Sequence, residues 1–138
     1  ELLLVAARAF ERFLDDPVMN HHKGITGDAL IQRMGDLYVM FYFGAFWPGT
    51  EGLSAWNRFA CSYDLVNWTD WEGPHLIEPS EDYDSRFAHK SFVLKHDGVV
   101  YHFYNAVNEL NQRGIALATS RDIGTSSLEF IPSEGRPY

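Results

Sequence analysis

Apolar positions recur at two different spacings along this chain. In the first sixteen residues Leu3, Ala6, Ala7, Phe10, Phe13 and Leu14 fall three or four apart, with Arg8, Glu11, Arg12, Asp15 and Asp16 mainly on the other side. That spacing predicts an amphipathic helix over residues 2–15, packed on a domain and ended by Pro17. The stretch lacks the basic leading segment and the small-residue cleavage site of a signal peptide. No apolar run approaches the length of a membrane span.

Beyond the helix the pattern turns to strands and turns. Residues 29–34 read as a short apolar strand ending at the turn Gly35-Asp36, and residues 37–46 as a β-branched and aromatic strand. A loop over 47–52 leads to an alternating strand over 57–63, a turn, an edge strand reaching Trp68, and a mostly irregular stretch over 72–86. The order then recurs: a strand over 91–96, the turn Asp97-Gly98, an aromatic strand over 99–107, a loop over 108–113, a strand over 114–120 and a turn over 120–124. Phe41-Tyr42 matches Phe103-Tyr104 at an offset of 62, and Ser62 with Asp64 matches Ser120 with Asp122 at an offset of 58.

A repeat of about 60 residues with about four strands per unit is the signature of propeller blades. The predicted fold is therefore all-β, a partial β-propeller of about two four-stranded blades behind an N-terminal helix. The helix takes residues 1–16, and residues 17–138 form one β domain with blades at about 24–80 and 86–135. A β-sandwich with two similar hairpins is the alternative. In a propeller, equivalent positions face one central space. At the offset of 62, Asp28 falls opposite Lys90 with His89 beside it, each expected just before its blade's first strand, at the mouth of the funnel.

Composition narrows the partners. The chain is 46% hydrophobic and 15% aromatic, which is enough for a packed core. Its formal net charge of −8, without a Lys/Arg cluster, argues against nucleic acid and against anionic membranes. The lone Cys61 forms no intrachain disulfide and reads as a small buried hydrophobe. No spacing matches a zinc or calcium site, and there is no nucleophile elbow, phosphate loop or dinucleotide fingerprint, so no cofactor or metal is expected. Nothing in the sequence fixes the compartment.

The stretches "ITGDALIQRMGDLYVMFYFGAF", "FACSYDLVNWTDWEGPHLIEPSEDYDSRFAHKSFVLKHDGVVYHFYNAV" and "RGIALATSRDIG" resemble the five-bladed β-propeller glycosidases, with the nearest likeness to bacterial enzymes around glycoside hydrolase families 43, 32, 117 and 130. The resemblance covers about residues 17–125, and Ser62, Asp64 and Trp68 form its recurrent outer-blade element. It implies hydrolysis of glycosidic bonds in an oligo- or polysaccharide, with Asp28 as catalytic base or nucleophile. Ala29 stands where the family usually has a proline after that aspartate. Five blades of roughly 60 residues need roughly 300. With about two blades here the general acid of the family lies elsewhere, and a homo-oligomer completing the ring is one expectation. A non-catalytic or degenerate sugar-binding module is the alternative function, and a structural β-domain a third.

The remaining candidates follow from residue chemistry. His89 and Lys90 offer donors for sugar hydroxyls or a carboxylate, and Arg86 for an acidic sugar unless it pairs with Glu81 or Asp84. Of Glu81, Asp82 and Asp84 one faces the funnel and helps fix the transition state, unless the cluster is simply a solvated loop. His22, beside His21 and Lys23, is placed to line the rim. Trp47 and Trp56 sit on the loop after the aromatic strand; Trp47 is read as a surface for stacking on a sugar ring, and Trp68 and Trp71 as packing.

Overall fold

The computed structural model describes residues 24–50 and 54–121, together with residue 12 and residues 17–19. The helix expected over 2–15 falls almost wholly outside these residues, as do His21, His22, Lys23 and the end of the second blade. The described chain is all-β. Its strands are β1 (Ile25–Met34), β2 (Leu37–Ala45), β3 (Ala55–Ser62), β4 (Thr69–Asp70), β5 (Phe87–His96), β6 (Val99–Val107) and β7 (Arg113–Thr119).

The strands form two antiparallel units, β1-β2-β3-β4 and β5-β6-β7. Hydrogen bonding continues from one to the other at a single parallel pair, Ala55 with Phe87. This is the partial propeller the repeat implies, and the sandwich alternative fails. The hairpins close through two-residue turns, Met34 facing Leu37 and His96 facing Val99. Asp97 and Gly98 both have positive φ, 47° and 75°, as a twisted hairpin of this length requires. Gly98→Ala is expected to destabilise the protein by about 1 kcal/mol in urea unfolding, since only the backbone conformation opposes the new methyl.

The blades pack face to face. Val39 and Phe41 of β2 meet Val93 of β5, flanked by Leu30, Met34, Leu37, Phe59, Cys61 and Val100. Because β2 is covered on both sides, Val39 to Tyr42 are all buried, which explains an apolar run without alternation. Burial pushes the Cys61 thiol above its ordinary value and keeps it protonated. The irregular stretch after β4 returns along β3, where Asn57 pairs with Ile77, and Ile77 then caps a second cluster of Ala88, Tyr104 and Ala106.

A buried polar chain crosses this interface. Asn57 of β3 donates from Nδ2 to the Ala88 carbonyl (3.2 Å), and its Oδ1 accepts from Ser91 Oγ (2.8 Å). Ser91 has one proton and spends it there, so His102 Nε2, 2.8 Å from Ser91 Oγ, carries the proton and donates. Burial pushes the His102 imidazole down from its ordinary 6.5 to about 4. The unfolded chain therefore takes up this proton first. The contribution to stability is whole above pH 6.5 and is lost as pH falls from 6.5 toward 4, about 3 kcal/mol in all. Urea unfolding at pH 7 and pH 4.5 should show this loss, and His102→Gln should lack it.

The Ser-x-Asp element forms the outer turn of the first blade. The Asp64 carboxylate accepts from the Asn67 side chain and the Val66 and Asn67 amides, while Ser62 Oγ accepts from the Asp64 and Leu65 amides. These donors hold the Asp64 carboxyl well below the usual carboxylate range.

Candidate functional site

The first strands of the two blades are longer than the sequence pattern indicated. They begin at Ile25 and Phe87, so Asp28 and Lys90 lie inside β1 and β5, each the fourth residue. Both strands have a bulge there. Between the pairs Gly27–Phe43 and Leu30–Phe41 the first blade has one residue too many, and between His89–Asn105 and Ser91–Tyr104 the second has the same excess. Asp28 and Lys90 take up this slack in the left-handed region, with φ of 51° and 60°. That conformation is uncommon for any residue but glycine, and bulges re-aim side chains at the ends of sheets. The result is an ion pair: Lys90 Nζ lies 2.9 Å from Asp28 Oδ2, each side chain 48% exposed. The alignment at an offset of 62 thus holds down to the backbone irregularity.

His89 stands beside the pair. Its ring packs edge-on against Phe43 of the other blade and tilts against Phe87. Nδ1 lies 3.2 Å from the Asn105 carbonyl and donates to it. Burial lowers the pKa of His89; the Asn105 bond and the Asp28 charge oppose this, and Lys90 and Arg113 add to it. At neutral pH the ring is therefore uncharged and presents Nε2 as an acceptor. Lys90 Nζ also sits 6.0 Å from the Phe43 ring centroid.

The other sequence candidates separate. Asp84 does not face the funnel. It is 1% exposed, and its carboxylate accepts from the Ser80 and Glu81 amides and from Tyr104 Oη. Burial first, and then the bond to Asp84, raise the Tyr104 hydroxyl above its ordinary value. Arg86 is exposed and lies over the Phe87 ring, 4.9 Å from its centroid; among the described residues it makes no ion pair with Glu81 or Asp84. Trp47 is half-buried, donates from Nε1 to the Ile25 carbonyl (2.9 Å), and meets Trp56 edge-on. A Cβ on Gly44 would lie 2.8 Å from its ring. Trp56 is not on a loop: it is fully buried in β3, stacked on His75 at 4.6 Å. Trp71 stacks on Phe59, in agreement with a packing role. His22 lies outside the described residues.

One buried centre had no sequence signal. Arg58 is 8% exposed and donates to Tyr42 Oη, His75 Nδ1, Asp70 Oδ2 and the Trp71 carbonyl. Tyr42 in turn donates to Asp70 Oδ1 (2.6 Å), and burial raises its hydroxyl pKa. This network fastens β4 and the following loop to the first blade. An arginine in an alternating strand looks like any solvent-facing position until its partners are placed.

Solved structures share this architecture. The structure of BT0996 in an RGII complex matches with a TM-score of 0.78 at 61% identity, over 87% of this protein and 34% of BT0996. A structure named "Glycoside hydrolase" matches with the same values. The resemblance to the β-propeller glycosidases stands. Fructan 1-exohydrolase IIa from Cichorium intybus shares the fold, with a TM-score of 0.62 at 20% identity over 76% of this protein and 20% of the exohydrolase. The chain spans about a third of the length of the first two relatives. No family model and no curated protein matches it. These comparisons give no support to an assembly of identical copies.

Proposed function

We infer that this chain is the sugar-facing part of a glycoside hydrolase-like propeller, that its ligand is an oligo- or polysaccharide, and that Asp28 serves as base or nucleophile in glycosidic hydrolysis. The observation that carries the reading is the matched pair of bulges that brings Asp28 and Lys90 together at 2.9 Å. Strained backbone of this kind is kept where a side chain must be aimed. The 61% identity to a glycoside hydrolase and to BT0996, whose structure is an RGII complex, supports the carbohydrate class.

A second reading is binding without cleavage. Hydrolysis takes two carboxyl groups across the scissile bond, and Asp84, one of the further acids the sequence offered, is committed to Tyr104 and two backbone amides. The test is turnover on a broad panel of aryl glycosides alongside direct glycan binding. Released sugar supports the hydrolase; binding without release at high protein concentration supports the second reading. If glycans neither bind nor are cleaved, both fail.

A further inference from the structure

The blades can be compared residue by residue because their registers coincide. Phe43 faces Asn57 where Asn105 faces Ile115, and Ala45 faces Ala55 where Val107 faces Arg113. The face that the first blade turns to the second carries Gly27, Phe43 and Ala55 at the end near Asp28. The same end of the second blade carries His89, Asn105 and Arg113. Three packing positions have become three polar ones. Further along the face Phe92, Phe103 and Leu117 stand where Leu30, Phe41 and Phe59 stand, while Gln32 and Asn57 of the first blade, whose amides bond to the second, give way to Leu94 and Ile115. The three gained polar groups, His89, Asn105 and Arg113, all lie at the end that holds the Asp28–Lys90 pair.

Two adjoining hollows mark this end. One of about 260 Å³ is lined by His89, Asn105, Arg113 and Ile115, and the other, of about 280 Å³, by Lys90, Phe92, Phe103, Asn105 and Ile115. Neither is lined by a carboxylate. Lys90 and Arg113 against Asp28 leave a net positive charge here, in a chain whose formal charge is −8. Arg113 Nη2 donates to Asn111 Oδ1 (3.2 Å), which leaves the rest of its fork of donors for a planar anion. Lys90 keeps donors beyond the one it gives Asp28. Neutral His89 accepts a hydroxyl proton at Nε2, the Asn105 amide both donates and accepts, and Phe92 and Ile115 form an apolar wall for a ring face.

We propose that His89, Asn105 and Arg113, with Lys90, form a subsite for a uronate, a sugar ring that bears a carboxylate. Arg113 and Lys90 take the carboxylate, while His89 and Asn105 take ring hydroxyls. This rests on the carbohydrate reading above and names the substrate class of the same site.

The test is calorimetric binding of methyl glucuronide and methyl galacturonide, each against its carboxyl-reduced glycoside at equal ionic strength. The wild-type protein should bind at least one acid about tenfold or more tighter than its neutral partner. Arg113→Gln should erase that preference. Arg113→Lys, which keeps the charge without the fork, should recover part of it. Asn105→Phe restores the first blade's residue and should abolish binding of both forms. Arg113 is exposed at the first position of β7, so thermal unfolding of its variants should match wild type. Equal binding of acid and neutral forms, or a preference that survives Arg113→Gln, overturns the uronate assignment alone. Binding of neither form, together with no binding in the glycan panel, overturns the carbohydrate reading itself.

Discussion

Asp28→Asn is expected to reduce turnover about a thousandfold or more while glycan binding and unfolding free energy stay near wild type. The chemistry sets the first half: removing a general base costs about 10²- to 10⁴-fold, and removing a nucleophile more. The backbone sets the second. Asp28 sits at φ 51°, and asparagine tolerates that region better than any residue but glycine, so the bulge survives. Asp28→Ala would add strain and confound the result. The ion pair to Lys90 is half-exposed, and pairs of that kind contribute about 1 kcal/mol or less to stability. Steady-state kinetics with binding by calorimetry separates the effects. Unchanged turnover would remove Asp28 from the chemistry; lost binding would make it a sugar ligand instead.

Asp84→Ala should lower the unfolding free energy by about 4 kcal/mol in urea. The carboxylate lies at 1% exposure and satisfies three donors. Its removal takes the carboxylate partner from the buried Tyr104 hydroxyl and from two amides of the turn at Ser80 and Glu81. Each buried donor left unpaired costs about 1–3 kcal/mol, more where the lost partner is charged. Asp84→Asn keeps the shape and two acceptor directions, and should cost about half as much. The turn feeds directly into β5, so the loss should also reach His89 and Lys90 as weaker glycan binding. A change under 1 kcal/mol would mean that the turn holds without its carboxylate.

What could be read from the chain followed the range of the forces involved. Alternation and turn chemistry are local, so β6 emerged at Val99–Val107 as the pattern indicated, and the offset of 62 alone set Asp28 against Lys90. The bulges left no mark in the sequence because neither Asp28 nor Lys90 is glycine, and the usual sign of a left-handed residue was missing. Trp56 read as a loop residue because its cover comes from a stretch that looked irregular and brings His75 onto its ring. The burial of Asp84 depends on Tyr104, twenty residues on, and that of Arg58 on Tyr42, Asp70 and His75. Such tertiary partners leave no periodic trace.

The twin bulges also bear on how such a site changes over time. Both blades carry the device that aims a side chain at this end, but not the same side chain: one holds an acid and the other a base. Geometry and chemistry are thereby uncoupled. A lineage built on such units can rewrite the charge of a mounting point by one substitution without re-forming the strand that holds it, and a change in ligand taste then requires no new architecture.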